Sequence, residues 1–183
     1  MTTGGTGKTP FTLWLSAYLD SMGLSHGILS RGYGRKGSEA SVVPTIGETG
    51  PLVPLFGDEP VLMSRSTAGV PVWVGRDRWK SGMAAIQDSS PQILLLDDGF
   101  QHLSLARDLD LVLLDAHSPF GNGSILPLGP LREPIAHLAR ADAFILTRAR
   151  DPDMVVRTRS FLTGLFPGRP IFRCRHRLTG FST

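Results

Sequence analysis

The sequence predicts an α/β fold in which a mainly parallel sheet carries helices on both faces. Short, continuously apolar runs bounded by turn residues recur along the chain, and amphipathic helical patterns lie between several of them. The third observation is size: 183 residues is ordinary for one domain. A chain of that length buries about 70% of its unfolded surface, which excludes disorder as the reading.

The elements follow in order. Apolar residues at Phe11, Leu13, Trp14, Leu15, Ala17, Tyr18 and Leu19 predict a helix over Thr9–Met22 that stops at Gly23. Strands are expected at His26–Ser30, Val72–Val74, Ile93–Leu96, Leu109–Leu114 and Phe144–Leu146, where short apolar runs meet turn residues. Helices are expected at Glu59–Ser66, Arg76–Gln87, Pro134–Arg140 and Pro152–Phe166, and a last short strand at Pro170–Arg175. Two stretches resist assignment. Gly32–Gly57 is rich in Gly and Pro, with one short strand expected at Ser41–Pro44, and Ala116–Pro134 carries PFGNGSILPLGPLREP. Loops this long inside a domain are usually functional, so both are candidate lids or substrate-binding loops.

Composition narrows the class further. The lone Cys174 excludes an internal disulfide and favours a reducing compartment. There is no run of 18 apolar residues and no signal-peptide pattern, so the chain as given is expected to be soluble and cytoplasmic. Positive charge is uneven: residues 1–139 hold 10 Lys/Arg against 13 Asp/Glu, whereas 140–183 hold 9 Arg against 3 Asp. An Arg-rich tail either faces an anionic partner or forms a solvated surface.

Gly4-Gly5-Thr6-Gly7-Lys8-Thr9 carries the GK[ST] core of a phosphate-binding loop, with Thr2 where the full pattern has its first glycine. Glycines let backbone N–H groups wrap phosphate oxygens in conformations that a Cβ blocks. Lys8 would neutralise the β- and γ-phosphates, the Thr9 hydroxyl would bind Mg²⁺, and the helix N-terminus adds its positive dipole end. Only three residues precede the glycines, so the strand that normally leads into such a loop is expected outside this sequence.

Carboxylates and arginines complete the set. Ile93–Leu96 ends in Asp97 and Asp98, the form of a Walker B segment, which brings one of them beside a metal held by Thr9. Gln101 and His102 follow, either to orient phosphate or substrate or, for His102, as a structural histidine. In Gly57-Asp58-Glu59-Pro60, Asp58 suits either a helix N-cap or a general base, with Glu59 at the metal. Arg31 and Arg35 in SRGYGR, and Arg76 and Arg78 in VGRDRW, stand at strand ends as candidate anion clamps.

Taken together, GGTGKTP at Gly4–Pro10, SRGYGR at Ser30–Arg35, GDEP at Gly57–Pro60, LLDDGFQH at Leu95–His102 and LPLGPLREP at Leu126–Pro134, in that order, resemble the tetraacyldisaccharide 4′-kinase family of lipid A biosynthesis. The resemblance implies a P-loop NTPase-like kinase that uses MgATP to phosphorylate the 4′-hydroxyl of an acylated glucosamine disaccharide 1-phosphate. It implies peripheral work at the cytoplasmic face of the bacterial inner membrane, with no nucleic acid and no obligate protein partner. By resemblance Lys8 and Thr9 contact phosphate and Mg²⁺, Asp58 is the catalytic base, and Glu59, Asp97 and Asp98 lie close to the metal. Gln101 and His102 fall in the active site, and Arg31, Arg35, Arg76, Arg78 and Arg132 face ATP phosphates or the acceptor's 1-phosphate. Family members are longer, with an N-terminal membrane-associated helix and a C-terminal lobe. Residues 1–183 are therefore expected to be part of a single kinase domain, with 140–183 leading towards that lobe and membrane contact made by segments outside this sequence.

Two other classes share the phosphate loop. A nucleotide-dependent switch or metallochaperone NTPase would need an [NT]KxD guanine-reading motif, and the corresponding Thr147-Arg148-Ala149-Arg150 does not supply it. A nucleotide-binding fragment without turnover is the third reading.

Overall fold

The computed structural model describes residues 6–35, 39–44 and 51–175. Helix α1 (Lys8–Ser21) begins at the phosphate loop. It closes at Gly23, whose φ of +70° is natural for glycine. Gly23 N–H donates to Asp20 O at 2.9 Å and Leu24 N–H to Leu19 O at 3.0 Å, a Schellman closure that satisfies carbonyls at the helix end.

The described chain divides into two compact units, one of Lys8–Leu105 and one of Ala106 onwards together with Thr6 and Gly7. In the first unit, β1 (His26–Ser30), β2 (Ser41–Val42), β3 (Val72–Val74) and β4 (Ile93–Leu96) form one sheet in the order β2-β3-β1-β4. Strand β1 is parallel to β3 and β4, and the short β2 is antiparallel to β3. The register sets Ser30 beside Val74 and Leu29 beside Leu96. The segments that follow these strands, beginning at Arg31, Gly75 and Asp97, therefore leave the sheet at one edge.

Alternation along the strands divides the core between two faces. On one, Ile28, Val72 and Val74 pack with Val61 and Met63 of α3 (Asp58–Ser66), and Leu13 of α1 and Leu52 and Phe56 of α2 (Leu52–Phe56) close over them. On the other, Leu29 and Trp73 pack with Ala85 of α4 (Arg78–Ser89), flanked by Leu94 and Leu96. All five residues of β1 are buried, as expected for a central parallel strand. Truncating fully buried Ile28 to Ala removes contacts worth about 2–5 kcal/mol.

The second unit holds β5 (Leu111–Asp115), β6 (Ala143–Thr147) and β7 (Ile171–Arg173), parallel in that order, with α5 (Pro152–Leu165) crossing from β6 to β7. Asp151 caps α5, its carboxylate accepting from the N–H groups of Asp153 at 2.9 Å and Met154 at 3.4 Å. Thr158 Oγ1 donates to Ala116 O at 3.0 Å, and the Phe144 and Phe166 rings meet at 5.5 Å. In the Pro-rich loop between β5 and β6, Asn122 Nδ2 donates to Leu128 O at 2.9 Å, and Leu131 is fully buried. Within the Arg-rich tail, Arg140, Arg148 and Arg169 pair with Glu133, Asp115 and Asp142.

The α/β class and every expected strand are present, and the departures are local. The strands are distributed over two sheets. Helix α2 lies inside the stretch expected to be loop, its Leu52 and Phe56 packed on the core. Helix α4 starts at Arg78 because Asp77 is its N-cap, accepting from Lys80 N–H at 3.2 Å. The segment Ile135–Arg140 is a 3-10 helix. Among the described residues no helix is long and apolar enough to cross a membrane.

Candidate active site

Lys8 and Thr9 open α1, both half-buried. Of the glycine loop, Gly4 and Gly5 lie outside the described residues, Thr6 is buried, and Gly7 has φ +82°. Lys8 Nζ lies 3.6 Å from Asp98 Oδ1, so the lysine of the phosphate loop and the second carboxylate after β4 are brought together. Asp98 holds φ at +53°, a conformation that Asp tolerates better than most residues but that still stores strain.

Asp97, immediately before it, is in a different environment. It is only 4% exposed, and Thr12 Oγ1 donates to its Oδ1 at 3.2 Å. Burial pushes its carboxyl up to about 6, and the charges of Glu59 and Asp98 add to the rise. The Thr12 hydrogen bond and the Lys8 charge oppose it. Two adjacent acids thus differ in character, one buried and hydrogen-bonded and the other exposed beside a lysine.

Asp58 and Glu59 occupy the first turn of α3, both exposed. The N-cap position belongs to Gly57 at φ +93°, and Asp58 Oδ1 instead accepts the Glu59 N–H at 2.9 Å. The N-cap reading of Asp58 therefore does not hold. Its carboxylate sits in the first turn of the helix.

The arginines divide in the same way as the acids. Arg31 and Arg76 are exposed, whereas Arg78 is only 3% exposed. Arg78 Nη1 donates to Gly75 O at 2.5 Å, while its Nε is buried without a hydrogen-bond partner. Burial, then the charge of Arg31, lowers the Arg78 pKa, and Asp97 and Asp98 counter this. Arg35 Nη1 donates to Ser41 Oγ at 3.0 Å and Nη2 to Glu39 O, and burial followed by the Arg76 charge lowers its pKa. Gly32 lets the Arg35 side chain pass close to the backbone, since a Cβ there would stand 2.8 Å from Arg35 Cδ. It would also stand 2.2 Å from Val74 Cγ1 and 2.8 Å from Phe56 O.

Gln101 and His102 are half-buried just beyond Asp98, with Ser104 Oγ 3.2 Å from His102 Nε2. Arg132 is exposed in the second unit and is described with that unit alone. The first unit holds Lys8, Thr9, Asp58, Glu59, Asp97, Asp98, Gln101, His102 and four arginines, and within it Lys8, Glu59 and Asp98 act on Asp97 while Arg31, Asp97 and Asp98 act on Arg78. Sequence reasoning did not single out Thr12. The available signal was its place four residues after Lys8 on one helix face.

Among the described residues no group of three or more His, Cys, Asp and Glu side chains is arranged to hold a metal ion. The oxygen donors present, one hydroxyl and a few carboxylates, suit Mg²⁺, which keeps several waters and shares its shell with phosphate oxygens. An all-protein cage is not what that ion needs. The Arg78 Nε, without a hydrogen-bond partner and within charge reach of Asp97 and Asp98, suits the phosphates that would complete the shell.

A family model described as tetraacyldisaccharide-1-P 4′-kinase matches residues 1–180. The chain is 55% identical over 178 residues to the tetraacyldisaccharide 4′-kinase of Syntrophobacter fumaroxidans, covering 97% of this chain and 47% of that protein. It is 47% identical over 167 residues to that of Dechloromonas aromatica, covering 90% of this chain and 48% of that protein. The chain spans about half the length of these curated relatives. A crystal structure of LpxK from Aquifex aeolicus in complex with ATP is similar over all of this chain and 72% of that one, with a TM-score of 0.74 and 28% identity.

Proposed function

The chain belongs to the tetraacyldisaccharide-1-P 4′-kinase family, and on that premise we propose that it supplies the phosphoryl-transfer core of a lipid kinase. The reaction is transfer of the γ-phosphoryl group of ATP to the 4′-hydroxyl of a tetraacylated glucosamine disaccharide 1-phosphate. The observation that supports this most is the 3.6 Å approach of Lys8 to Asp98, which joins the phosphate loop to the acids after β4. The solved LpxK bound to ATP supports the nucleotide.

In this reading each side chain has a task that its surroundings suit. Lys8 leaves Asp98 for the β- and γ-phosphates, a short movement for a flexible, partly exposed ammonium. Thr9 and Asp97 would hold Mg²⁺, with Asp98 and Glu59 close to it, and the ion when bound would neutralise phosphate charge. Asp58 accepts the proton of the 4′-hydroxyl as that oxygen bonds to the γ-phosphorus and the bond to the β-phosphate oxygen breaks. Arg78, its Nε already desolvated, donates to a phosphoryl oxygen without a further burial cost. Arg31, Arg35 and Arg76 serve ATP phosphates or the acceptor's 1-phosphate, and Gln101 and His102 orient the reactants. Little covalent chemistry falls to the protein, so positioning and charge neutralisation carry the acceleration. The acceptor is a lipid, and the reading places the enzyme at the cytoplasmic face of the bacterial inner membrane.

The test is ADP release with and without the acylated disaccharide acceptor. Acceptor-dependent release is the expected outcome. Acceptor-independent hydrolysis would replace the kinase by a nucleotide switch, and binding without turnover would leave a nucleotide-binding fragment.

A further inference from the structure

Three polar side chains spaced four residues apart, Lys8, Thr12 and Ser16, lie along one face of α1. Each meets a partner on a strand of the sheet or just beyond one. Lys8 Nζ is 3.6 Å from Asp98 Oδ1, Thr12 Oγ1 donates to Asp97 Oδ1 at 3.2 Å, and Ser16 Oγ lies 2.7 Å from His26 Nε2. The last rung is an anchor: Ser16 is fully buried, His26 is 5% exposed, and His26 Nδ1 lies 3.0 Å from Leu24 O. With the carbonyl as its partner, Nδ1 carries the proton, and Nε2 accepts from the Ser16 hydroxyl. The helix that carries the phosphate loop is thereby pinned at a fixed height against β1 and β4.

The middle rung needs a specific donor. Asp97 is 4% exposed and near two other acids, Glu59 and Asp98, whose negative charges repel its carboxylate. A neutral hydroxyl holds one carboxylate oxygen in place, yet brings no positive charge that would compete with a divalent cation. Neither a lysine nor an aliphatic residue does both.

We infer that Thr12 is a positioning residue that holds the Asp97 carboxylate by Oδ1 and leaves Oδ2 for the cation. This rests on the proposed reading of the site as a magnesium-nucleotide centre. Thr12 touches no substrate in this assignment and acts only through Asp97. Partners that orient a metal-binding carboxylate typically change metal affinity 10- to 100-fold when removed.

The test is calorimetric titration of the full chain with ADP, with and without Mg²⁺, for wild type, Thr12→Val, Thr12→Ala and Thr12→Ser. ADP affinity without Mg²⁺ should be alike in all four. The gain in affinity on adding Mg²⁺ should fall about tenfold in Thr12→Val and Thr12→Ala and stay within about twofold of wild type in Thr12→Ser. Thr12→Ala keeps the comparison intact if a second methyl at this half-buried site prevents Thr12→Val from folding. An unchanged magnesium gain in a folded variant that lacks the hydroxyl overturns the role of Thr12 while leaving the site reading in place. A wild-type protein whose ADP affinity does not respond to Mg²⁺ overturns both.

Discussion

Lys8 Nζ and Asp98 Oδ1 stand 3.6 Å apart, with both side chains partly open to solvent. An exposed pair of this kind contributes about 0–1 kcal/mol to stability, because water screens it and two long side chains must be held still. Its value in the proposed mechanism lies in storing the ammonium beside the phosphate region. Lys8→Met should therefore leave the melting temperature within a few degrees of wild type while lowering acceptor-dependent ADP release at least about a hundredfold. A fall in activity matched by loss of the folded state would show that the pair is structural.

Asp58 is exposed at the start of α3 and accepts a hydrogen bond only 2.9 Å long from its neighbour's N–H. Asp58→Ala should abolish transfer while preserving ATP binding, since a base acts on the acceptor and not on the nucleotide. Near-normal transfer would remove Asp58 from that role. Parallel measurement of kcat and nucleotide affinity checks it.

Asp97 carries a pH signature in the nucleotide-free protein. Its carboxyl is raised from 3.8 to about 6 in the folded chain, so the folded state binds the proton more tightly than the unfolded one. The associated stability is fully present below about pH 4 and is lost as pH rises to about 6. Above that, the ionised carboxylate is a constant penalty. Asp97→Asn should accordingly be more stable than wild type at pH 7 by about 1–3 kcal/mol, with the advantage vanishing near pH 4. Denaturation midpoints measured across that range check it; an advantage independent of pH would assign the gain to packing.

Gly32 has φ +65° and no room for a methyl group between Val74 and the Phe56 carbonyl. Gly32→Ala should destabilise the first unit by about 2 kcal/mol or more, combining backbone strain with displaced core contacts. Chemical denaturation reads the loss directly. A near-neutral result would mean that the loop relaxes around the new side chain.

Ser16 of α1 and His26 of β1 give a complementary case. Ser16→Ala leaves His26 Nε2 buried without its donor, and should cost about 1–3 kcal/mol. Since the site lies at the start of the helix, magnesium-dependent nucleotide affinity in the folded variant should stay near wild type. Loss of that dependence would extend the positioning role beyond Thr12.

Local patterns determined much of this protein from its sequence. The glycines before Lys8 and Thr9, the apolar runs that became β1, β3 and β4, and the acids that follow Ile93–Leu96 are all short-range signals. Their order along the chain carried the family resemblance. Chain spacing did not reveal which neighbours would differ. Arg76 and Arg78 stand two residues apart, yet the Asp77 cap leaves the first exposed outside α4 and buries the second at its start. Asp97 and Asp98 are adjacent, yet one faces Thr12 and the other Lys8. Helix α2 formed inside a Gly/Pro-rich stretch because Leu52 and Phe56 found a core to cover, which local propensity does not report. The sequence by itself determined which chemical groups were available and that they follow parallel strands. The tertiary structure alone decided which of them are desolvated and which are paired, because burial and long-range hydrogen bonds depend on the surfaces that meet after folding.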